Sequence, residues 1–217
     1  MTHVHLLDRL IGAELPPLRT AAELQAFEAT PYVERIIPQS TYEALQLGAA
    51  HDPGAAAFQF LKKADPEEAP LTVSYAQFMA RVTQSANLFS ALGVGSNDVV
   101  SFLLPLIPQA FFALFGAQAA GIANPVNPLL SPGQLTEILR AANTRVLVAL
   151  GPIPGSDIWD KVQRIRASLP NLKAVVVVHG ATDEATGVYS FDALIDHYPG
   201  DRLTSGRRIA AHETAGY

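Results

Sequence analysis

From Val99 onward the chain alternates short, unbroken apolar runs with longer segments in which apolar residues recur every three or four positions. Val99–Leu104, Ile122–Val126, Val146–Leu150 and Ala174–Val178 are runs of the composition found in strands covered on both faces. The segments between them predict helices over roughly 109–120, from Ser131 onward, and over 157–168. At Ser131 the hydroxyl is placed to cap, Pro132 takes the first helical position, and Gln134 completes a capping box. That helix should carry Leu135, Ile138, Leu139 and Ala142 on one side, with Glu137, Arg140 and Asn143 towards the other. In the 157–168 helix, Ile158, Val162 and Ile165 supply the apolar stripe. Upstream, Ala55–Leu61 and Leu71–Ser74 flank the polar linker 62–68 and predict a hairpin. Ser74 then opens a helix with Gln77 at the box position and Phe78, Val82, Ser85, Ala86, Phe89 and Leu92 on one face. Gly93 ends it. Strand and helix in this alternation predict an α/β fold: right-handed crossovers and a mainly parallel sheet flanked by helices.

The flanks lack this rhythm. Before about Ala50 the apolar positions are scattered around Pro31 and Pro38, while Thr20–Glu23 and Ser40–Glu43 carry capping-box spacing. The pattern predicts an irregular helical arm over 1–54 that wraps on another surface. The α/β subdomain is expected over 55–182. Residues 183–217 predict one short helix near Phe191–His197 and a charged, irregular tail.

Composition narrows the possibilities. The chain is 49% hydrophobic and 16% charged, which suits a sheet covered on both faces. Its net charge of -5 and lack of a basic run exclude a nucleic-acid partner. With no cysteine, disulfides, thiolate metal sites and thiol nucleophiles are excluded. No charged residue lies between Asp98 and Glu137, but Pro105, Pro108, Gly116, Gly121, Pro125 and Pro128 interrupt that stretch. Its longest uninterrupted helix falls short of the ~20 residues that span a bilayer, so no transmembrane segment is expected. Met1–His5 has no basic region before an apolar one, which predicts a cytoplasmic protein. His3 and His5 read as solvated side chains of a terminus rather than a metal clip.

In such a sheet the loops beyond the carboxyl ends of the strands should carry the chemistry. Here they are Pro105–Pro108, Asn127–Leu130 and Gly151–Gly155. The chain contains no Gly-Lys pair, so none of them is a phosphate loop of the Gly-Lys-Ser/Thr type. Gly93-Val94-Gly95 follows a helix rather than a strand and reads as a turn. A Gly-x-Ser-x-Gly elbow is absent. His51, His179, His197 and His212 stand apart with no metal-ligand spacing and read as surface or packing residues. Arg207-Arg208 reads as part of a solvated tail, and Asp192 and Asp196 as exposed carboxylates on one helical face. The residues thus assign no catalytic, cofactor-binding or metal-binding position.

Four ordered blocks carry a resemblance. Leu71-Thr72-Val73-Ser74-Tyr75-Ala76-Gln77-Phe78 resembles a strand entering a helix through a Thr/Ser-Tyr pair. Gly93-Val94-Gly95-Ser96-Asn97-Asp98-Val99-Val100 is similar to a Gly-Val-x-x-Gly-Asp-x-Val turn. Phe115 to Pro128 resembles a helix ending in Ala-Gly before Pro-x-Asn-Pro, and Ser131-Pro132-Gly133-Gln134-Leu135 matches the helix opening that follows. Together they resemble the opening of the adenylating core of the AMP-binding ligases, which include acyl-CoA synthetases, luciferases and peptide-synthetase adenylation domains. Gln118 and Ala119 depart from the resemblance where the family often has a lysine. The resemblance implies the N-terminal portion of an acyl-CoA synthetase, a scaffold preceding the Ser/Thr- and Gly-rich phosphate loop and inactive alone. The parent enzyme would use ATP, Mg²⁺ and CoA to convert a carboxylic acid to its acyl-adenylate and then its thioester. The fragment itself is expected to bind none of these, and its partner would be the remainder of the synthetase. In some relatives the Gly151–Gly155 region approaches CoA. The fold alone leaves open a free-standing nucleotide- or anion-binding module, and a non-catalytic interaction domain.

Overall fold

The computed structural model describes residues 17–217 apart from Ala64 and Pro66, so the reading of His3 and His5 lies outside the described residues. The hairpin forms as expected, with β1 (Ala56–Phe60) and β2 (Leu71–Ser74) antiparallel. Ser74 caps α4 (Tyr75–Ala91), preceded in the arm by α1 (Ala21–Glu28), α2 (Tyr32–Arg35) and α3 (Thr41–His51). The Ser74 hydroxyl accepts from the Gln77 N–H, and the Gln77 side chain accepts from the Ser74 N–H. After α4 the chain reverses at Gly93, whose φ of +84° lies in the left-handed region.

The alternating part then runs β3 (Val99–Leu103), α5 (Pro108–Ala120), β4 (Ile122–Pro125), α6 (Pro132–Ala141), β5 (Thr144–Leu150), α7 (Ile158–Ile165), β6 (Ala174–Val178), β7 (Val188–Ser190) and α8 (Phe191–Leu194). All five strands of the main sheet are parallel, in the order β4-β3-β5-β6-β7. β7 is not among the sequence expectations. It is three residues long and is reached from β6 through a short 3-10 turn at Glu184–Thr186 instead of a helix, so no periodic pattern announces it.

Side chains alternate across the sheet and build two layers. On one face Val100, Phe102, Val146, Val148, Val176 and Val178 pack under α4 and α5. On the other, Leu103, Leu147, Ala149, Val175 and Val177 meet Leu135 and Leu139 of α6 and Ile158, Val162 and Ile165 of α7. Each fully buried branched side chain stabilises the fold by roughly 1.5–3 kcal/mol relative to exposure. The apolar stripe of α6 is narrower than its spacing suggests, because Ile138 is 38% exposed while Leu135 and Leu139 are fully buried. Helices α4 and α5 lie so close that a Cβ on Gly116 would sit 2.5 Å from the Ser85 Cβ.

α4 is buried beyond its apolar stripe. Thr83, Asn87 and Leu88 are also inaccessible, because the arm and the loop after α8 cover them. From α3, the Tyr42 hydroxyl meets Thr83 Oγ1 at 2.8 Å. Burial raises the Tyr42 pKa above its ordinary value. From the other side, Asn87 Nδ2 donates to the Pro199 and Arg202 carbonyls, and its Oδ1 accepts from the N–H and hydroxyl of Thr204. The Thr20–Glu23 box is complete. At Ser40 the box is shifted by a residue: the hydroxyl accepts from the Glu43 N–H, but the Glu43 carboxylate accepts from the Gln39 N–H. Among the described residues no helix is long and apolar enough to cross a membrane.

The C-terminal segment returns to the sheet. Gly216 lies parallel to Ala123 on the outer side of β4, held by Ala123 N–H to the Ala215 carbonyl and Tyr217 N–H to the Ala123 carbonyl, both at 3.0 Å.

Candidate functional site

In this strand order the connection leaving β3 goes to β4 on one side, and the connection leaving β4 crosses to β5 on the other. The chain therefore switches direction between β3 and β5, and in sheets of this kind ligands bind beyond the carboxyl ends at such a point. The loops at that end are 104–107 after β3 and 151–157 after β5, flanked by the 126–131 loop after β4 and the 179–187 segment after β6. Leu106 and Leu129 project into solvent, 76% and 84% exposed. Lys161 reaches the 126–131 loop, but its Nζ is engaged by the Pro128 carbonyl at 2.9 Å and the Asp157 carboxylate at 3.1 Å.

The polar part of this end centres on Asp192. One carboxylate oxygen accepts from Gln109 Nε2 at 3.2 Å, in the first turn of α5. The other accepts from the His179 N–H at 2.7 Å and lies 3.5 Å from His179 Nδ1. His179 holds φ at +56°, a left-handed conformation that costs a non-glycine residue about 1–3 kcal/mol. A Cβ at Gly151 would lie 2.6 Å from the His179 carbonyl oxygen, so the β5 and β6 exits are in direct contact. Asp192 thus pins the exit of β6, and the half-exposed imidazole stands where a ligand at the carboxyl ends could meet it.

The sequence reading kept His179 and Asp192 apart, and the structure brings them together with Gln109. Asp192 joins His179 and Gln109, whereas Asp196 pairs with Arg81 across to α4. Gln109 carried no sequence signal beyond its place at a helix start; contact with Asp192 depends on how α5 and α8 pack. His51 lies on α3 and His212 in the exposed C-terminal segment, apart from this cluster in sequence and element. Arg207 is a correction. Its side chain is only 14% exposed, because it pairs with Glu213 and donates to the Ala119 carbonyl. Gly93–Gly95 is a turn, with the Gly95 N–H donating to Asp98 Oδ2 at 2.8 Å.

These loops offer a nucleoside triphosphate no cationic side chain: 104–107 and 126–131 carry no charge, and 151–157 carries only Asp157. Among the described residues no group of three or more His, Asp and Glu side chains could hold a metal ion.

A concavity of about 480 Å³ lies between the arm and the C-terminal segment. It is lined by Tyr32, Ile36 and Tyr42 of the arm, Gln118 of α5, and Ile209 and Ala215 of the C-terminal segment. Gln118 Oε1 is buried and has no hydrogen-bond partner.

Comparison with known proteins assigns the class. The AMP-binding enzyme family matches residues 45–210, and the chain belongs to that family. Among curated relatives it is 28% identical over 200 residues to a marinolic acid–CoA ligase from Pseudoalteromonas sp. (strain SANK 73390), covering 92% of this chain and 30% of the ligase. It is 26% identical to the long-chain-fatty-acid–CoA ligase heimdall of Drosophila melanogaster, covering 84% of this chain and 25% of that protein. Among solved structures, acetoacetyl-CoA synthetase from Streptomyces lividans superposes with a TM-score of 0.69 at 23% identity, over 82% of this chain and 27% of that one. The anthranilate–CoA ligase AuaEII, solved with anthranoyl-AMP, gives 0.61 at 24% identity, over 82% and 31%. These structures share the α/β fold. The chain spans less than a third of the length of each of these four proteins.

Proposed function

We propose that this chain is the scaffold segment of a cytoplasmic acyl-CoA ligase that activates a carboxylic acid, with fatty acids the substrate class suggested by its relatives. The observation that carries this reading is the family match across residues 45–210, joined to relatives that are themselves acid–CoA ligases. In this reading residues 1–54 are an arm wrapped on the core, 55–182 the α/β subdomain, and 183–217 the tail leading to the ATP phosphate loop. The intact ligase would use ATP and Mg²⁺ to form an acyl-adenylate, and CoA would then displace AMP. This segment supplies the sheet and the loops at its carboxyl ends. The positive charge needed to hold phosphates belongs to the remainder of the ligase, since the 104–107, 126–131 and 151–157 loops offer none.

The test is pyrophosphate release by the purified 217-residue chain with ATP, Mg²⁺ and a panel of short- to long-chain acids. No acid-dependent release is expected. Turnover by the chain alone would overturn the scaffold reading, and tight ATP binding without turnover would support a free-standing nucleotide module instead.

A further inference from the structure

β7 closes one side of the main sheet, and the chain covers its outer edge with the segment that leads into it. The Val175 N–H of β6 donates to the Gly187 carbonyl, so backbone alternation turns the N–H groups of Val188 and Ser190 outward. Residues 182 and 183 take both. The Val188 N–H donates to the Asp183 carbonyl at 3.0 Å and the Asp183 N–H to the Val188 carbonyl at 2.9 Å, an isolated antiparallel bridge. The Ser190 N–H donates to the Thr182 hydroxyl at 2.9 Å, a side-chain oxygen standing where a neighbouring strand would present a carbonyl.

This strap, residues 179–187, is fastened by hydrogen bonds and by little else. At its start the Asp192 carboxylate accepts from the His179 N–H at 2.7 Å, and at its end the Thr186 carbonyl accepts from Arg166. Between them Thr186 Oγ1 donates to the Asp183 carboxylate at 2.8 Å, and Gly187 turns the chain into β7 with φ at +70°. Residues 181–186 are all exposed, so no apolar burial holds them down and they can open without dismantling the core. The strap brings the carboxylates of Asp183 and Glu184 to this side of the sheet, whereas Val188, Tyr189 and Ser190 carry no charge. Charge and irregular cover are the means by which sheet edges are kept from pairing.

We propose that residues 179–187 are an openable guard on the sheet, and that β7, once uncovered, pairs edge to edge with β7 of a second copy of this chain. The occupant is a second copy because a two-fold antiparallel pair needs one kind of edge only, and the neutral run Val188-Tyr189-Ser190 sets no like charges opposite each other. β7 is short, so pairing is expected only with the guard removed and at high concentration. Guarding requires neither a ligand nor activity, and so it holds apart from the ligase reading.

Amide exchange by NMR and sedimentation velocity are compared for the intact 217-residue chain and its variants. Thr182→Val keeps the side-chain shape and removes the acceptor, while Thr182→Ser keeps the acceptor. Adding Asp183→Pro to Thr182→Val removes the Asp183 N–H and drives its φ, here -137°, towards about -65°, which breaks the bridge. Exchange of the Ser190 amide should rise about tenfold or more in Thr182→Val and return to the parent rate in Thr182→Ser. The double variant should sediment as a dimer at high concentration. Its Val188 and Ser190 amides should regain protection as concentration rises, while those of Val146–Leu150 keep the parent rates. The parent should show neither effect.

An unchanged Ser190 amide in Thr182→Val would overturn the proposal. So would a double variant that sediments like the parent at every concentration, or one that associates without renewed protection of Val188 and Ser190. A parent that already pairs through β7 would show that the strap guards nothing. Faster exchange throughout Ala174–Val178 in the double variant would make the strap part of the core, and that outcome also sinks the proposal.

Discussion

Asn87 and Gly116 show how single residues decide what α4 can carry. Asn87 is a polar side chain at a buried position, and both ends of its amide are used. Replacing it with alanine would take a partner from two carbonyls, the Thr204 N–H and the Thr204 hydroxyl, each buried orphan costing up to a few kcal/mol. Asn87→Ala should therefore destabilise the chain by roughly 2–4 kcal/mol, read from urea denaturation midpoints at constant slope. A loss below about 0.5 kcal/mol, the usual range for surface substitutions, would mean that the loop after α8 is not held through this amide. At Gly116 the obstacle is steric rather than polar. A methyl group would meet the Ser85 Cβ, the Ala86 N and the Val82 O, two of them backbone atoms that cannot swing aside. Gly116→Ala should cost about 1–3 kcal/mol by overpacking although alanine is the better helix former. A stabilised variant would show that α4 and α5 can separate.

Elements with a strong internal period were legible in the sequence, and elements defined by their neighbours were not. The caps at Ser74 and Ser131 fixed helix starts within a residue, and the apolar runs from Val99 to Val178 gave four parallel strands. β7 escaped because three residues cannot show a period. The burial of Asn87 in α4 had no local signal, because the loop that covers it comes more than a hundred positions later. The same holds for the cluster at the carboxyl ends, where His179 comes from the loop after β6, Asp192 from α8, and Gln109 from a helix 83 positions before Asp192. Arg207 was misread for this reason too. Its partner Glu213 is only six residues on, but the burial that makes the pair matter comes from the packed surroundings. A backbone bond from Ala210 and the Arg207 side chain hold the Glu213 pKa below its ordinary value of 4.5. A depressed carboxyl contributes stability above its unfolded pKa and loses it as pH falls through the folded value. Glu213→Gln should therefore be less stable than the parent at pH 7, and the two melting curves should converge below about pH 4.5. A gap independent of pH would mean that the side chain matters for packing rather than for charge.

Across the molecule, the layers imply an order in which parts open. The strands β5 and β6 are central, flanked on both sides by parallel neighbours and covered on both faces; every residue of β6 is buried. Their amides can exchange only when the sheet is dismantled. α1 and α2 bury no residue, and their terminal bonds are free to fray. α3 lies between these extremes, anchored through Tyr42 to Thr83. Hydrogen exchange should accordingly show three tiers: α1 and α2 fastest, α3 intermediate, and Val146–Leu150 with Ala174–Val178 slowest, at rates set by global unfolding. Tyr42→Phe removes the α3 hydrogen bond without opening a cavity. It should move α3 towards the fastest tier while leaving β5 and β6 in place, because a single anchor on a peripheral helix does not hold the sheet. If the substitution instead raises exchange in the central strands by the same factor, the arm and the sheet unfold as one unit, and the arm belongs to the core rather than being wrapped upon it.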